Sequence, residues 1–221
     1  MKNFNDYQAI LFDWDGTLVD TCGLILDAHN HVRAHYDLPL WTMDRFLGQA
    51  SQSAREYYPT VYGDKAEEAQ KILYDFVEAH HLTYIEPMDN VIEILDFIKG
   101  NAKPLGVVSN KRHATLNLEM DQMGWRSYFK TVIGAGVAEK DKPSKAPIIM
   151  AVQEIDKNID PKEILYIGDT ETDLLCAQNV GCDVAFIQSD KERPDLIEKY
   201  QPRYRTFSLS ELLANFKSEM K

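Results

Sequence analysis

Asp13 and Asp15 stand two residues apart in Phe12-Asp13-Trp14-Asp15-Gly16-Thr17, a spacing that can point two carboxylates to one side of a chain leaving a strand. One such carboxylate can attack phosphorus as a nucleophile, while its neighbour protonates the leaving oxygen and later activates water. Gly16 allows the tight turn this needs. Three other stretches carry related side chains: Ser109-Asn110-Lys111, Lys140-Asp141-Lys142-Pro143 and Gly168-Asp169-Thr170-Glu171-Thr172-Asp173. Brought together, they would place four acidic groups, a hydroxyl and a lysine at one rim. Two carboxylates about 4 Å apart repel by roughly 4 kcal/mol at an effective dielectric near 20, so several ionised together require a cation. A hard divalent ion suits an all-oxygen set, and Mg²⁺ commonly takes substrate phosphate along with one or two carboxylates. Lys142 adds a further positive charge. The expected guest is therefore an anion, and phosphate is the natural one.

The elements that would position these groups are short apolar runs alternating with amphipathic stretches. The runs at 9–12, 105–108, 131–133, 164–167 and 184–187 have strand length and are mostly rich in Val and Ile, as in a parallel sheet buried on both faces. Helical periodicity fills 91–99, 114–123 and 145–155, and 208–216 opens with Ser208 and Glu211 in capping-box spacing. The alternation predicts an α/β fold, an open parallel-sheet, Rossmann-like core with helices on both sides. In such sheets functional residues gather beyond the carboxyl ends of the strands, where the four stretches fall. One section departs from the pattern. Between about 20 and 86 only helical patterns occur, at 20–36, 43–47, 51–58 and 64–82, with breaks at Pro39, Gly48 and 59–63. A block of roughly 65 residues is too long for a simple crossover. It is expected to be an inserted all-helical subdomain at 20–86, with 1–19 and 87–221 forming the core.

Composition narrows the function. The chain has 221 residues, 24 Lys+Arg against 35 Asp+Glu and a formal charge of −11, a balance that argues against a nucleic-acid backbone as the main partner. A chain this long buries enough surface to need no disulfide or structural zinc. Cys22, Cys176 and Cys182 lack metal-ligand spacing, and an odd count reads as reduced intracellular thiols. No apolar run approaches the roughly 18 residues of a membrane span, and the first residues lack a signal-peptide pattern. A cytoplasmic protein with no membrane partner is expected.

The motif Asp13-Trp14-Asp15-Gly16-Thr17-Leu18-Val19-Asp20, followed by Ser109, Lys142-Pro143 and Gly168-Asp169-x-x-x-Asp173, resembles the haloacid dehalogenase-like phosphatases. The closest likeness is to their phosphoglycolate phosphatase group. The four motifs run in order across residues 9–173. The resemblance implies that Asp13 is the nucleophile forming an aspartyl-phosphate and that Asp15 is the general acid/base, also binding metal through its main-chain carbonyl. It further implies that Ser109 and Lys142 hold the phosphoryl oxygens, with Asn110 adjacent. Asp169 would complete the Mg²⁺ site with Asp13, and Asp173 would support it or add a ligand. The helical block matches the family's cap, which closes over the site and excludes water. The 33 residues from Ser109 to Lys142 leave no room for a second large cap. Dehalogenating members lack the second aspartate, so Asp15 points to phosphate-ester or anhydride chemistry. The implied activity is Mg²⁺-dependent hydrolysis of a small phosphorylated metabolite, a phosphoglycolate-like phosphomonoester. Alternatives on the same core are a pyrophosphatase, a sugar-phosphate mutase or a catalytically silent binding protein.

Several residues admit plainer readings. Lys142 is followed by Pro143-Ser144-Lys145 where the family often has Lys-Pro-x-Pro, which makes Lys140 and Lys145 rivals; Lys142 is preferred because proline follows directly and the helix starts beyond. Thr170 and Asp173 are also a capping box, so Asp173 serves a helix start as readily as a site. His31 and His35 share a helix face without a third ligand and are expected on the surface or in the subdomain core. In the helical block, Gly48-Gln49-Ala50-Ser51 and Arg55 are candidate substrate contacts; so are Lys111, Arg112 and His113 in the core, where any of the three could clamp a carboxylate or second phosphate.

Overall fold

The computed structural model describes residues 2–49, 54–188 and 192–220, without the side chains of 47–49 and 54–56. The chain forms two compact units, one of Met1–Asp20 with Pro87–Lys221, the other of Thr21–Glu86. In chain order the elements are β1 (Ala9–Phe12), β2 (Val19–Asp20), α1 (Cys22–His35), α2 (Met43–Gln49), α3 (Ala54–Tyr62), α4 (Ala66–Tyr84) and β3 (Glu86–Pro87). There follow α5 (Val91–Gly100), β4 (Leu105–Arg112), α6 (His113–Gln122), β5 (Phe129–Ala135), α7 (Ala146–Ile155), β6 (Ile164–Gly168), α8 (Glu171–Val180), β7 (Asp183–Ile187), α9 (Pro194–Tyr200), β8 (Tyr204–Thr206) and α10 (Leu209–Glu219).

Six strands of the larger unit make one sheet in the order β5-β4-β1-β6-β7-β8, with every pairing parallel. Ile10 pairs with Leu105 on one side and Leu165 on the other. The chain builds outward from β1 through β4 and β5, then returns to β1's other edge and builds outward again. Strand order therefore reverses at β1, and the crevice beyond the carboxyl end of that strand is where an open α/β sheet places its site. All four residues of β1 and all five of β6 are buried, as strands covered on both faces must be. On one face Leu11, Val108 and Tyr166 pack with Ile148 and Val152 of α7 and Leu174 of α8. On the other, α5 and α10 bury Ile94, Leu95, Ile98, Leu212 and Leu213, and Phe4 stacks between Phe97 and Phe216.

The smaller unit holds together through aromatic packing. Ala28 and Val32 of α1 meet Ala69 and Leu73 of α4 around the fully buried Tyr58. The Arg33 guanidinium lies 4.9 Å from the Trp41 ring while its Nε donates to Pro39 O.

Local differences from the sequence pattern have physical causes. Pro59 does not end a helix; α3 runs through it to Tyr62. Thr60 Oγ1 donates to Tyr57 O at 2.7 Å, and burial of Tyr58 holds the turn despite the missing amide. Strand β4 continues past Val108 to Arg112, because pairing with β5 resumes, after a shift in register, at Arg112 and Ala135. Among the described residues no helix is long and apolar enough to cross a membrane.

Candidate active site

Asp13 is the first residue beyond β1, and its amide donates to Ile167 O of the neighbouring β6 at 2.8 Å. A tight turn follows, in which Trp14 O receives the amides of Thr17, Leu18 and Val19, and the Gly16 amide reaches Val19 O. Gly16 has φ +76°, and a β-carbon there would collide with the Asp169 carboxylate, so backbone conformation and close approach both demand glycine. Asp169 follows β6, and Thr17 Oγ1 donates to its Oδ1 at 3.0 Å. Gly168 is constrained by close approach alone, since a β-carbon there would meet the Asp173 side chain.

Lys142 occupies the centre of the cluster. It is buried, and its ammonium lies 2.8 Å from Asp13 Oδ1 and 2.7 Å from Asp173 Oδ1. A third contact, at 2.9 Å, is to the Tyr166 hydroxyl. The Asp13 contact has ion-pair distance without hydrogen-bond alignment, which leaves that oxygen buried and unsatisfied. Asp173 accepts Lys142 and Tyr166 on Oδ1 and the Thr170 amide and hydroxyl on Oδ2. With the Tyr166 proton shared with Val108 O, these contacts take up most of its lone-pair directions, and they combine the helix cap with the lysine contact.

One ammonium does not balance three carboxylates. Ligand oxygens of Asp13, Asp169 and Asp173 all lie within 4.8 Å of one another. Burial, reinforced by Asp173, pushes the Asp13 carboxyl up to about 7 against the opposing pull of Lys142. Burial also drives Asp169 well above the usual carboxylate range, again with Asp173 and Asp13 adding to it. For Asp173 burial is outweighed by Lys142 and Thr170, and its pKa falls. Burial lowers the Lys142 pKa less than Asp13 and Asp173 raise it, so the ammonium stays charged. The donor set is all oxygen and over-negative, which fits a hard divalent cation. Asp13 and Asp169 are the carboxylates best able to hold one, since Asp173's acceptor positions are mostly in use.

The Asp15 carboxylate makes its ion pair with Lys111 rather than with Lys142. Its Oδ1 pairs with Lys111 Nζ at 2.7 Å, and Lys111 donates to both oxygens of Glu119 at 2.8 and 2.6 Å. Trp14 Nε1 donates to the same carboxylate at 2.6 Å, and Trp14 packs edge-on against Trp125.

The remaining expected residues fall as follows. Ser109 is buried, and its Oγ accepts the Lys111 amide at 3.2 Å. Asn110 uses both ends of its amide on the main chain of Lys142, donating to its O and accepting from its N. Lys140 and Lys145 are exposed. His113 accepts the Gly134 amide on Nδ1. His31 packs at a tilt against Phe76, and His35 edge-on against Tyr36. Gly48 lies within α2, whereas Ala50 and Ser51, with the side chains of Gln49 and Arg55, lie outside the described residues. Thr17, Tyr166 and Glu119 escaped the sequence reading. A threonine following Asp-Gly could have been suspected, whereas nothing local marks a buried glutamate in mid-helix or a tyrosine within a strand.

Comparison with known proteins bears on this arrangement. The family model described as haloacid dehalogenase-like hydrolase matches residues 10–187. The "Pyrophosphatase PpaX" of Bacillus velezensis is 27% identical over 205 residues, covering 93% of this chain and 94% of its own. A haloacid dehalogenase-like family hydrolase from Streptococcus pneumoniae superposes with a TM-score of 0.84 at 24% identity, over 96% of this chain and 100% of its own. A predicted phosphoglycolate phosphatase from Haemophilus somnus gives 0.81 at 19% identity, over 96% and 99%.

Proposed function

This chain belongs to the haloacid dehalogenase-like hydrolase family, and from that premise we propose that it is a Mg²⁺-dependent phosphatase of small phosphorylated metabolites that works through phospho-Asp13. The observation that carries this reading is Lys142 buried between Asp13 and Asp173, with Asp169 alongside, at the strand-order reversal.

In the first half-reaction an Asp13 carboxylate oxygen attacks phosphorus and the bond to the leaving oxygen breaks, with Asp15 giving that oxygen its proton. In the second, water attacks the phosphorus of phospho-Asp13 while Asp15 takes the water's proton; inorganic phosphate leaves and the Asp13 carboxylate is restored. Lys142 and Ser109 hold the phosphoryl oxygens, the lysine exchanging its Asp13 contact for one of them, and Asn110 fixes the lysine's main chain. Asp173 keeps the ammonium in place from α8. A cation held by Asp13, Asp169 and the Asp15 carbonyl supplies charge neutralisation for the carboxylates and the phosphoryl group. Positioning and charge compensation of this kind are most of what phosphoryl transfer requires.

A phosphomonoester of the phosphoglycolate type is the first substrate class. Pyrophosphate is the second, favoured by the likeness to a relative named as a pyrophosphatase. Residues 21–86 are proposed as the cap that selects between them. Cys22, Cys176 and Cys182 are thiols, in keeping with work in a reducing cytoplasm. The test is phosphate release with and without Mg²⁺ across phosphoglycolate, pyrophosphate, a nucleotide and a sugar phosphate, joined to rapid-quench trapping of label on Asp13. Turnover of none of the four, or turnover without a labelled Asp13, refutes the reading.

A further inference from the structure

Among the described residues Glu119 is the most deeply buried carboxylate outside the Asp13 cluster, at 0% exposure, and the proposed chemistry gives it no part. Sealing a carboxylate inside a protein is costly, and apolar residues of similar volume commonly stabilise a fold as well or better. Its partners show what the burial achieves. The Trp14 indole and the Lys111 ammonium both donate to it, and Lys111 carries the chain of contacts on to Asp15 Oδ1. Trp14 and Asp15 are consecutive residues of the turn after β1, so α6 grips the turn twice, once directly and once through the lysine. The three donors of Lys111 are matched by three oxygens, those of Glu119 and Asp15 Oδ1. A substrate-clamping role for Lys111 would have to break one of these bonds. Burial works against the ammonium, yet Asp15 and Glu119 outweigh it and the lysine stays charged.

We infer that Lys111, anchored by Glu119, is a positioning residue that fixes the Asp15 carboxylate by Oδ1 and leaves Oδ2 to exchange the proton with the leaving oxygen. The inference deepens the phosphatase reading and rests on Asp15 as its acid/base. It follows that loss of Lys111 should matter most where the leaving group most needs a proton.

The experiment compares kcat/KM for p-nitrophenyl phosphate, whose leaving oxygen departs readily without protonation, with kcat/KM for phosphoglycolate, whose alkoxide does not. For Lys111→Met the alkyl phosphate should lose on the order of 10²-fold, and p-nitrophenyl phosphate under about threefold. Glu119→Gln keeps the side-chain shape and should show the same split at smaller size. Combining the two should widen it little further, because Glu119 reaches the Asp15 carboxylate through Lys111. Equal losses on both substrates, or no loss on either, overturn the inference. Should Lys111→Met not fold, Glu119→Gln decides alone, and absence of the split in it is equally fatal. Wild type and Asp15→Asn test the underlying reading separately. If Asp15→Asn hydrolyses the alkyl phosphate at the wild-type rate, Asp15 is not the acid, and the inference falls with that reading rather than on Lys111.

Discussion

Two lysines, one buried and one half-buried, flank the turn after β1, and each bridges a strand-end aspartate to a carboxylate on the following helix layer. Lys142 joins Asp13 to Asp173 of α8; Lys111 joins Asp15 to Glu119 of α6. The bridges look alike in outline and differ in charge balance. Beside Lys142 stands a third carboxylate, Asp169, and two of the three acids there are pushed toward their neutral forms. Beside Lys111 all three ammonium donors are matched by oxygens of Asp15 and Glu119, and the Trp14 indole is an added donor to Glu119. The first arrangement is incomplete without more positive charge. The second is closed on itself. A binding site and a brace can therefore be built from the same residue types, and the surplus carboxylate tells them apart.

The largest effect should come from Asp13→Asn. It removes the proposed nucleophile without changing shape, so phosphate release should fall by a factor on the order of 10⁴ or more. Because Asp13's charge is disfavoured where it sits, the cation-free variant should melt no lower than wild type. Glu119→Gln should melt lower, since it removes an anionic acceptor that holds the Lys111 ammonium. Opposite signs in the two melting shifts would support the distinction, and equal signs would erase it. Next in size is Lys142→Met, which strands Asp13 and Asp173 in the interior at a cost of about 3–5 kcal/mol and should also suppress turnover. Chemical denaturation and phosphate release measure the two losses, and near-normal turnover would move the phosphate-binding role to Lys140 or Lys145.

Mg²⁺ should separate the two bridges by calorimetry. At a hundred times its dissociation constant it should add about 2.7 kcal/mol, or roughly 5–10 °C in Tm for a chain of this size. Lys111→Met should keep this gain, and Asp169→Asn should lose it. The pH dependence has a definite sign. Folded Asp13 and Asp169 hold protons to higher pH than the unfolded chain does, so without the cation their contribution to stability is full below about pH 4. For Asp13 it is lost as pH rises through about 7, and for Asp169 as pH rises through its own raised value. The Mg²⁺ gain should therefore be larger at pH 8 than at pH 6. A gain independent of pH would count against carboxylate ligation.

Much of this was legible in the sequence for one physical reason: a parallel sheet puts its chemistry at strand ends, and strand ends follow short apolar runs. Asp13, Ser109 and Asp169 could be placed that way, and Lys142 by the proline beside it. What could not be read depended on partners distant in sequence or on packing. Tyr204-Arg205-Thr206 is too short and too polar to stand out, yet it pairs as edge strand β8 because β7 offers a free edge. Pro59 reads as a break, and the burial of Tyr58 overrides it. Glu119 sits on the weakly amphipathic α6, where the pattern gives no sign that this position faces inward. The brace was less readable than the site because its two acids, Asp15 and Glu119, are 104 positions apart in sequence, whereas Asp169 and Asp173 share one short motif.

The smallest effect tests how closely the Lys142 bridge is adjusted. The Tyr166 hydroxyl receives one ammonium proton and has a single proton of its own, set between Val108 O at 2.9 Å and Asp173 Oδ1 at 3.0 Å. Burial, with Asp173 and Asp13 adding to it, keeps that phenol protonated. Tyr166→Phe deletes the hydroxyl without altering the ring, leaving one N–H of Lys142 without an acceptor and Val108 O without this donor. Stability should fall by about 1–3 kcal/mol. The freed N–H then has only Asp13, Asp173 or an incoming phosphoryl oxygen to turn to. If the hydroxyl merely fills space, KM and kcat should both survive. If it holds Lys142 at the distance the phosphoryl group needs, kcat should drop several-fold with KM nearly unchanged, since the lysine would be misplaced mainly for the transition state. Steady-state kinetics on one phosphomonoester, alongside the unfolding midpoint, separates these outcomes. An unchanged kcat would show that Asp13 and Asp173 suffice to place the ammonium, and that the tyrosine belongs to the core of the sheet alone.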